Sequence, residues 1–565
     1  MMSLFRGALL YVLVAGHALP AFALDAEAVS GGRSPYAVPT FECIGVYYET
    51  DEVGACAIRY RAAGQSDWRD GLDLVYDPRD GEYRGSLVGL QPDTAYEIEL
   101  ACGGRTAALS ARTRSDTFPI GKTTYLDNGM TPEALHITES GRPGGYHLVT
   151  PRDGAKTTVN VRNTEDYTAV IDADYVILRG VEFENAAIHG ILIKEDRHDI
   201  VIEDCHVTFW GRIGGPRTFG NVGGSDSAVY AETGAGNLTI QRNLLNDPRG
   251  ASNDWETGHP SGPQAISLIN SSGGNVIRYN EIKSSEDHGY NDAIGGSSNF
   301  SWEGSPNRDS DIYGNIIRNV WDDAIESEGA NMNVRIWENY IDQTFQFIAT
   351  AATSKGPVYI YRNVFARSRR THRNPIGGSM FKTGERNEFK GGRRYVFHNT
   401  ALQPQGALDA FGGRSVPNLV TRNNVFDCPG RLVGDREPDI PSDYDYDFYS
   451  CDRGDYAQEP NGVRGRWTWP MFVESYSLEF YPAPTMRRIE WGKIPMKFGD
   501  EERIITDPVV TVKNPLIDGG VHIPNFNDDF AGDAPDIGAF ELGRAPLRFG
   551  RRAMDTPWAP WELDR

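Results

Sequence analysis

What this chain has little of narrows its class first. Six cysteines occur in 565 residues, and none forms a Cys-x-x-Cys pair. That excludes a structural zinc site of the usual spacing and leaves room for a few disulfides in an oxidising compartment. Positive charge is scarce: 56 Lys and Arg stand against 78 Asp and Glu, a net charge of −22. Such a surface argues against nucleic acid or an anionic membrane as partner. Beyond the first two dozen residues, no run approaches the ~18–20 apolar residues that span a bilayer. A phosphate-binding glycine loop, a zinc triad and a Gly-x-Ser-x-Gly elbow are absent too, so those chemistries have no basis in the sequence.

Glycine, by contrast, is abundant at 62 residues, and with Asn-rich loops it points to many turns and short strands. Residues 1–23 read as a cleavable signal peptide: Arg6 at the start, an apolar stretch from Ala8 to Gly16, and Ala21-Phe22-Ala23 at the end,. The mature protein is expected to be secreted or periplasmic, and to work as a monomer. Cys428 and Cys451 are placed to close a C-terminal loop, one pair is available among Cys43, Cys56 and Cys102, and Cys205 falls in a buried strand pattern. One stretch departs from the acidic background. Arg367, Arg369, Arg370, Arg373, Lys382, Arg386, Lys390, Arg393 and Arg394 are opposed there only by Glu385 and Glu388. A basic island of this kind fits an anionic ligand such as a uronate or sulfated sugar, or a solvated loop paired with acids elsewhere.

After a linker at 24–38, residues 39–116 alternate in short runs separated by turn residues, the spacing of an all-β sandwich,. Its segment LQPDTAYEIEL, with Leu90, Pro92, Thr94 and Tyr96, resembles the tyrosine corner of fibronectin type III domains, and Trp68 is expected in its core.

From 117 to 430 a repeat takes over. VILRG, VIEDC, LTIQRN, VIRYN, DIYGN, RIWEN, VYIYRN, YVFHN and TRNN align on Gly180, Cys205, Asn243, Asn280, Asn315, Asn339, Asn363, Asn399 and Asn424. The gaps are 25, 38, 37, 35, 24, 24, 36 and 25 residues, one unit with loops inserted into the longer copies,. Each unit reads as one coil of a parallel β-solenoid, stacked ~4.8 Å from the next, with the Asn side chains forming a ladder. The repeat resembles the right-handed parallel β-helix family that includes pectate lyases and polygalacturonases. APDIGAFE, near the end, is similar to the closing motif of bacterial β-helix proteins. Residues 431–565 are expected to form an irregular extension packed along the solenoid.

A second strand in each coil carries the chemistry. HGILI, SAVYA, QAISL, NDAIGG, DDAIES and QFIATA align on Ile191, Val229, Ile266, Ile294, Ile325 and Ile348. Two positions earlier stand His189, Ser227, Gln264, Asp292, Asp323 and Gln346, so two aspartates stack on adjacent coils. Alternation puts Glu326 and Glu328 opposite Ile325, facing solvent. Asp292, Asp322, Asp323 and Glu326 thus gather, and carboxylates that close raise one another's pKa, as glycoside hydrolysis requires. YNDAI and WDDAI also resemble the paired aspartate motifs of polygalacturonases. That resemblance implies Asp322 as proton donor, Asp292 and Asp323 as holders of the attacking water, and no cofactor. The family's later histidine and arginine–lysine motifs have no counterpart here. The pectate-lyase resemblance implies different chemistry on the same fold, β-elimination or C5-epimerisation of a uronate polymer: Ca²⁺ on Asp292, Asp322, Asp323 and Glu326, and a base drawn from Lys355, Arg373 or Lys382. A non-catalytic carbohydrate-binding solenoid is the third reading. In each case the partner is a polysaccharide, expected to be anionic. His288 and Trp302 are further candidates for contact with sugar, with His259 and Glu256 behind them.

Overall fold

In the runs that repeat along the chain, every second side chain is apolar and points the same way. Val176, Leu178, Ile200, Ile202, Leu238, Ile240, Ile277, Ile312, Ile336 and Ile360 all belong to one continuous buried core. The computed structural model describes residues 34–51, 53–213, 226–296, 299–373, 377–384, 388–402, 406–409, 416–428, 430–433, 437–452, 457–465, 482–489 and 509–553. The candidate signal peptide and Arg386 lie outside the described residues.

The runs form a right-handed parallel β-helix with three faces. The first is a 12-stranded parallel sheet from Ile120–Leu126 to Asp443–Tyr444. The other two faces join into one 21-stranded sheet, because Ile316–Glu326 and Tyr340–Ala349 run through the corner unbroken. Parallel pairing continues past residue 430 to Val463–Arg464, beyond the boundary expected from the repeat. The later units lack the Asn signal, which is why the sequence places the end too early.

The Asn ladder closes the corner after the first face. Nδ2 of Asn243 donates to Oδ1 of Asn280 at 3.0 Å, and the same bond repeats through Asn315, Asn339, Asn363, Asn399 and Asn424 at 2.9–3.0 Å. It ends on Asp447, whose Oδ1 accepts from Asn424 at 2.8 Å. The residue before each rung is left-handed, with φ of 54° at Arg242, 50° at Glu338 and 53° at Arg362. That conformation costs a non-glycine residue roughly 1–2 kcal/mol, which the buried amide bonds offset. At Gly314 a Cβ would also sit 2.4 Å from the Tyr279 ring.

Residues 36–112 form two four-stranded antiparallel sheets packed as a sandwich. The Tyr96 hydroxyl accepts the Gln91 N–H at 2.9 Å, five residues back, and Cys56 is bonded to Cys102. Trp68 does not fill the core as expected: it is half-buried outside it, under the guanidinium groups of Arg59 and Arg61. Two charged strand neighbours with long stems cover it better than a small sandwich interior accommodates it.

The sandwich does not hang free of the solenoid. The first face carries apolar side chains outward as well as inward, among them Tyr313, Trp337, Tyr359, Tyr361, Tyr395 and Phe397. These are buried beneath Phe41, Cys43 and Val88 of the sandwich and Ile523 and Phe526 of the C-terminal segment. Hydrogen bonds fix the docking: Tyr47 to Asp309 at 2.9 Å, Tyr313 to Glu42 at 2.7 Å, and the Ser86 N–H to the Tyr359 hydroxyl at 3.1 Å. In the APDIGAFE stretch, Gly538 meets Thr400 so closely that a Cβ would sit 2.8 Å from its Oγ1. Cys428 and Cys451 form the second disulfide; Cys43 and Cys205 are free and buried.

Candidate active site

Register carries the acids onto one another. Ile266, Ile294, Ile325, Ile348 and Phe381 pair in a single line across five coils. One position later, Ser267, Gly295, Glu326, Ala349 and Lys382 form a second line. Small residues thus flank Glu326. A Cβ on Gly295 would stand 2.8 Å from Glu326 Oε2, so the glycine makes room for that carboxylate.

Asp322 and Asp323 are neighbours in sequence, and in a regular strand they would point to opposite sides. A register shift between Val320 and Asp323 re-aims them, and oxygens of Asp292, Asp322 and Asp323 come within 4.8 Å of one another,. Asp323, Glu326 and Glu328 make a second such group. Glu328 corrects the expectation that it faces solvent: it is 1% exposed, and its Oε1 accepts the Ala351 N–H at 3.2 Å. The chain turns in after Glu326 instead of continuing the alternation.

Lys382 sits among these acids. Its Nζ is paired with Asp323 Oδ2 and lies 3.2 Å from Glu328 Oε1. Burial works against the ammonium, but Asp323, Glu328, Asp322 and Glu326 outweigh it and raise the lysine pKa well above its usual value. Four carboxyls move upward as well. Burial and then Asp323 push Asp292 up to about 7, against the Gln264 amide bonded to its Oδ2 at 3.0 Å. Asp322 is raised by burial and by Asp323 and Asp292, and Glu326 by burial and Glu328. Glu328 is pushed up to about 7 by burial, opposed by Lys382.

Five carboxyls therefore face one ammonium. Four buried oxygens around them, Asp323 Oδ1, Glu328 Oε2, Asn291 Oδ1 and Gln346 Oε1, have no hydrogen-bond partner among the described residues. Unpartnered buried oxygens are costly unless something electropositive meets them. Hard oxygen donors in this number suit Ca²⁺ or Mg²⁺ and do not suit a soft transition metal.

The remaining candidates scatter. Lys355 is 3.1 Å from Asp80 of the sandwich, away from the acids. Arg373 is 84% exposed and pairs with Glu256 at 3.0 Å. His288 points its Nδ1 at the Pro248 carbonyl, 2.7 Å away, as a loop histidine does. Trp302 is half exposed, in the loop whose Gly304 and Ser305 pair with Gly329 and Glu328, so it borders the cluster. Trp321 is buried under Arg369, whose guanidinium lies 3.6 Å from the ring centre. His259 lies closer than its place in the sequence implies: its Nε2 is 3.4 Å from Asp322 Oδ2, and its ring packs against Trp255. The insertion that carries it folds back over the strand ends.

No family model and no curated protein matches this chain. Among solved structures it is similar to pectate lyase Pel9A, at 14% identity and a TM-score of 0.38, covering 76% of this chain and 91% of that one. It is also similar to the catalytic domain of a GH87 alpha-1,3-glucanase in complex with nigerose, at 10% identity and a TM-score of 0.26, with the same coverage. At these values the likeness adds nothing to what the strand pairing establishes.

Proposed function

We propose that this chain is an exported polysaccharide lyase that cleaves an anionic, uronate-containing polymer by β-elimination, with Lys382 as the base. The observation that carries this reading is the single ammonium of Lys382 set between Asp323 and Glu328, beside a cluster of oxygens fit for a divalent cation. Asp292, Asp322, Asp323 and Glu326 would hold that cation, which when bound neutralises the substrate carboxylate and makes the C5 proton acidic. The acids around Lys382 set its protonation state. The surrounding acids hold Lys382 as the ammonium; each negative charge withdrawn from them moves it toward the free amine that takes the C5 proton,. The C5–H bond breaks with its proton passing to Lys382, a C4–C5 double bond forms, and the C4–O bond breaks with its electrons leaving on the glycosidic oxygen, which takes a proton from water. The two disulfides support an oxidising compartment,.

Hydrolysis is the second reading, favoured by the raised pKa of Asp292, which fits a general acid,. The spacing counts against inversion, since an inverting pair keeps its carboxyls roughly 6.5–9.5 Å apart to admit water and a retaining pair roughly 5–5.5 Å, whereas oxygens of the three aspartates approach within 4.8 Å. The two readings separate on a panel of acidic polysaccharides, with and without EDTA. Ultraviolet absorbance of the new double bond, lost on chelation and restored by Ca²⁺, is the outcome expected. New reducing ends without that absorbance, indifferent to EDTA, would replace elimination by hydrolysis.

A further inference from the structure

A second place on the molecule has the chemistry to meet a charged sugar, at the seam where the sandwich meets the coils. A cavity of about 500 Å³ opens there, its charged lining Asp77, Arg79 and Arg84 from the sandwich and Lys355, Glu388, Lys390 and Arg393 from the coils, five cations to two acids. In a chain of net charge −22, this concentration of cations is a local reversal.

The cations are not equally committed. Arg79 ties the seam together: it pairs with Asp77 at 2.7 Å and donates to the carbonyl of Lys390 at 2.9 Å and to that of Ser354. Lys355 is taken by Asp80. Neither Lys390 nor Arg393 is paired with a buried acid among the described residues. The partner of Lys390 is Asp439, 3.2 Å away and 88% exposed, a pair that water screens and a ligand anion readily replaces,. Arg393 bonds the neutral Asn418 and lies 5.5 Å from the centre of the Tyr395 ring.

The seam also continues from the acid cluster. Lys355 stands four residues beyond Ala351, whose N–H bonds Glu328. Trp302 bridges the two places: its loop pairs with Glu328, its ring centre is 5.2 Å from that of Phe389, and Arg79 lies 6.0 Å above it. A half-exposed tryptophan between two polar sites is a surface on which a sugar ring stacks.

We infer that the seam is an anionic-saccharide subsite, built jointly by the sandwich and the coils, in which Lys390 and Arg393 bind a carboxylate or sulfate group of a polymer that also crosses Trp302. This rests on the reading that the ligand is an anionic polysaccharide, but not on which bond is broken. The test is calorimetric binding in EDTA, without turnover, of hexagalacturonate, a heparin-derived hexasaccharide and cellohexaose. At least one anionic hexasaccharide should bind the full-length protein, and cellohexaose should not. The double variant Lys390→Ala/Arg393→Ala, and separately Lys390→Glu, should weaken that binding about tenfold or more, with unchanged circular dichroism. Which anionic probe binds tells carboxylate from sulfate. Affinity unaltered in both variants, equal binding of cellohexaose, or no binding of either anionic probe would overturn the inference. Because no turnover is measured, a protein that fails to eliminate can still pass this test, and a working lyase can fail it.

Discussion

At the scale of the residue, the site turns on one amine among five acids. Lys382→Ala should lower the rate of double-bond formation by about 10³-fold, the usual contribution of a positioned acid or base; turnover within tenfold of the parent would remove Lys382 from the chemistry. A second expectation concerns the cation. An ion that binds only the folded state at 100 times its Kd adds ~2.7 kcal/mol of stability. Millimolar CaCl₂ should therefore raise the melting midpoint of the parent protein and leave that of Asp292→Asn/Asp323→Asn in place. A third belongs to His398, buried where its Nε2 accepts from Asn423 and Asn527, and held by burial down to about 3. A base whose folded pKa is depressed contributes its full stability above the unfolded value near 6.5 and loses it as pH falls toward 3,. The slope is at most ~1.4 kcal/mol per pH unit for one proton. In urea titrations across that window, His398→Gln should flatten the pH dependence by one proton's worth. The aspartates were legible in the sequence because they recur at a fixed offset from a repeating isoleucine. Lys382 was legible only as one of three candidates beside Lys355 and Arg373, because among many neighbouring cations its charge alone does not select it. Only the pairing of Phe381 with Ile348 aligns it with Glu326.

At the scale of the element, the coil is a strand, a left-handed corner and an amide rung, and the sequence announces it plainly because Asn recurs wherever the corner does. Asn339 shows what a rung contributes. Its Nδ2 donates to Ile312, Trp337 and Asn363, and its Oδ1 accepts from both nitrogens of Asn315. Asn339→Ala leaves several of those groups buried without partners, so the loss should be about 2–4 kcal/mol, read as a lower urea midpoint with an unchanged m-value. A change under 0.5 kcal/mol would mean the ladder is ornament. The register shift in Ile316–Glu326 was hidden from the sequence, since a bulge changes where two side chains aim without changing which residues are present,. That bulge is what brings Asp322 and Asp323 to one pocket.

At the scale of the whole molecule, the solenoid and the sandwich share a buried apolar face. The repeat by itself does not say which face of the solenoid is covered from outside. VRIW, VYIY and RYVF carry large apolar side chains on both sides, the mark of a sheet covered twice,. A chain lacking residues 34–116 should uncover the part of this face that lies under Phe41, Cys43 and Val88, including Tyr313, and aggregate on expression; a soluble, monomeric truncation by size-exclusion chromatography would contradict that. The docking has one more consequence. Open repeat arrays gain and lose units by duplication because each copy touches only its neighbours. Here Tyr47 grips Asp309 while Ser86 grips Tyr359, two rungs farther on. The sandwich thus measures the solenoid like a gauge block: insert or delete one turn between those anchors and both cannot close, so the number of turns beneath it is frozen against evolutionary drift.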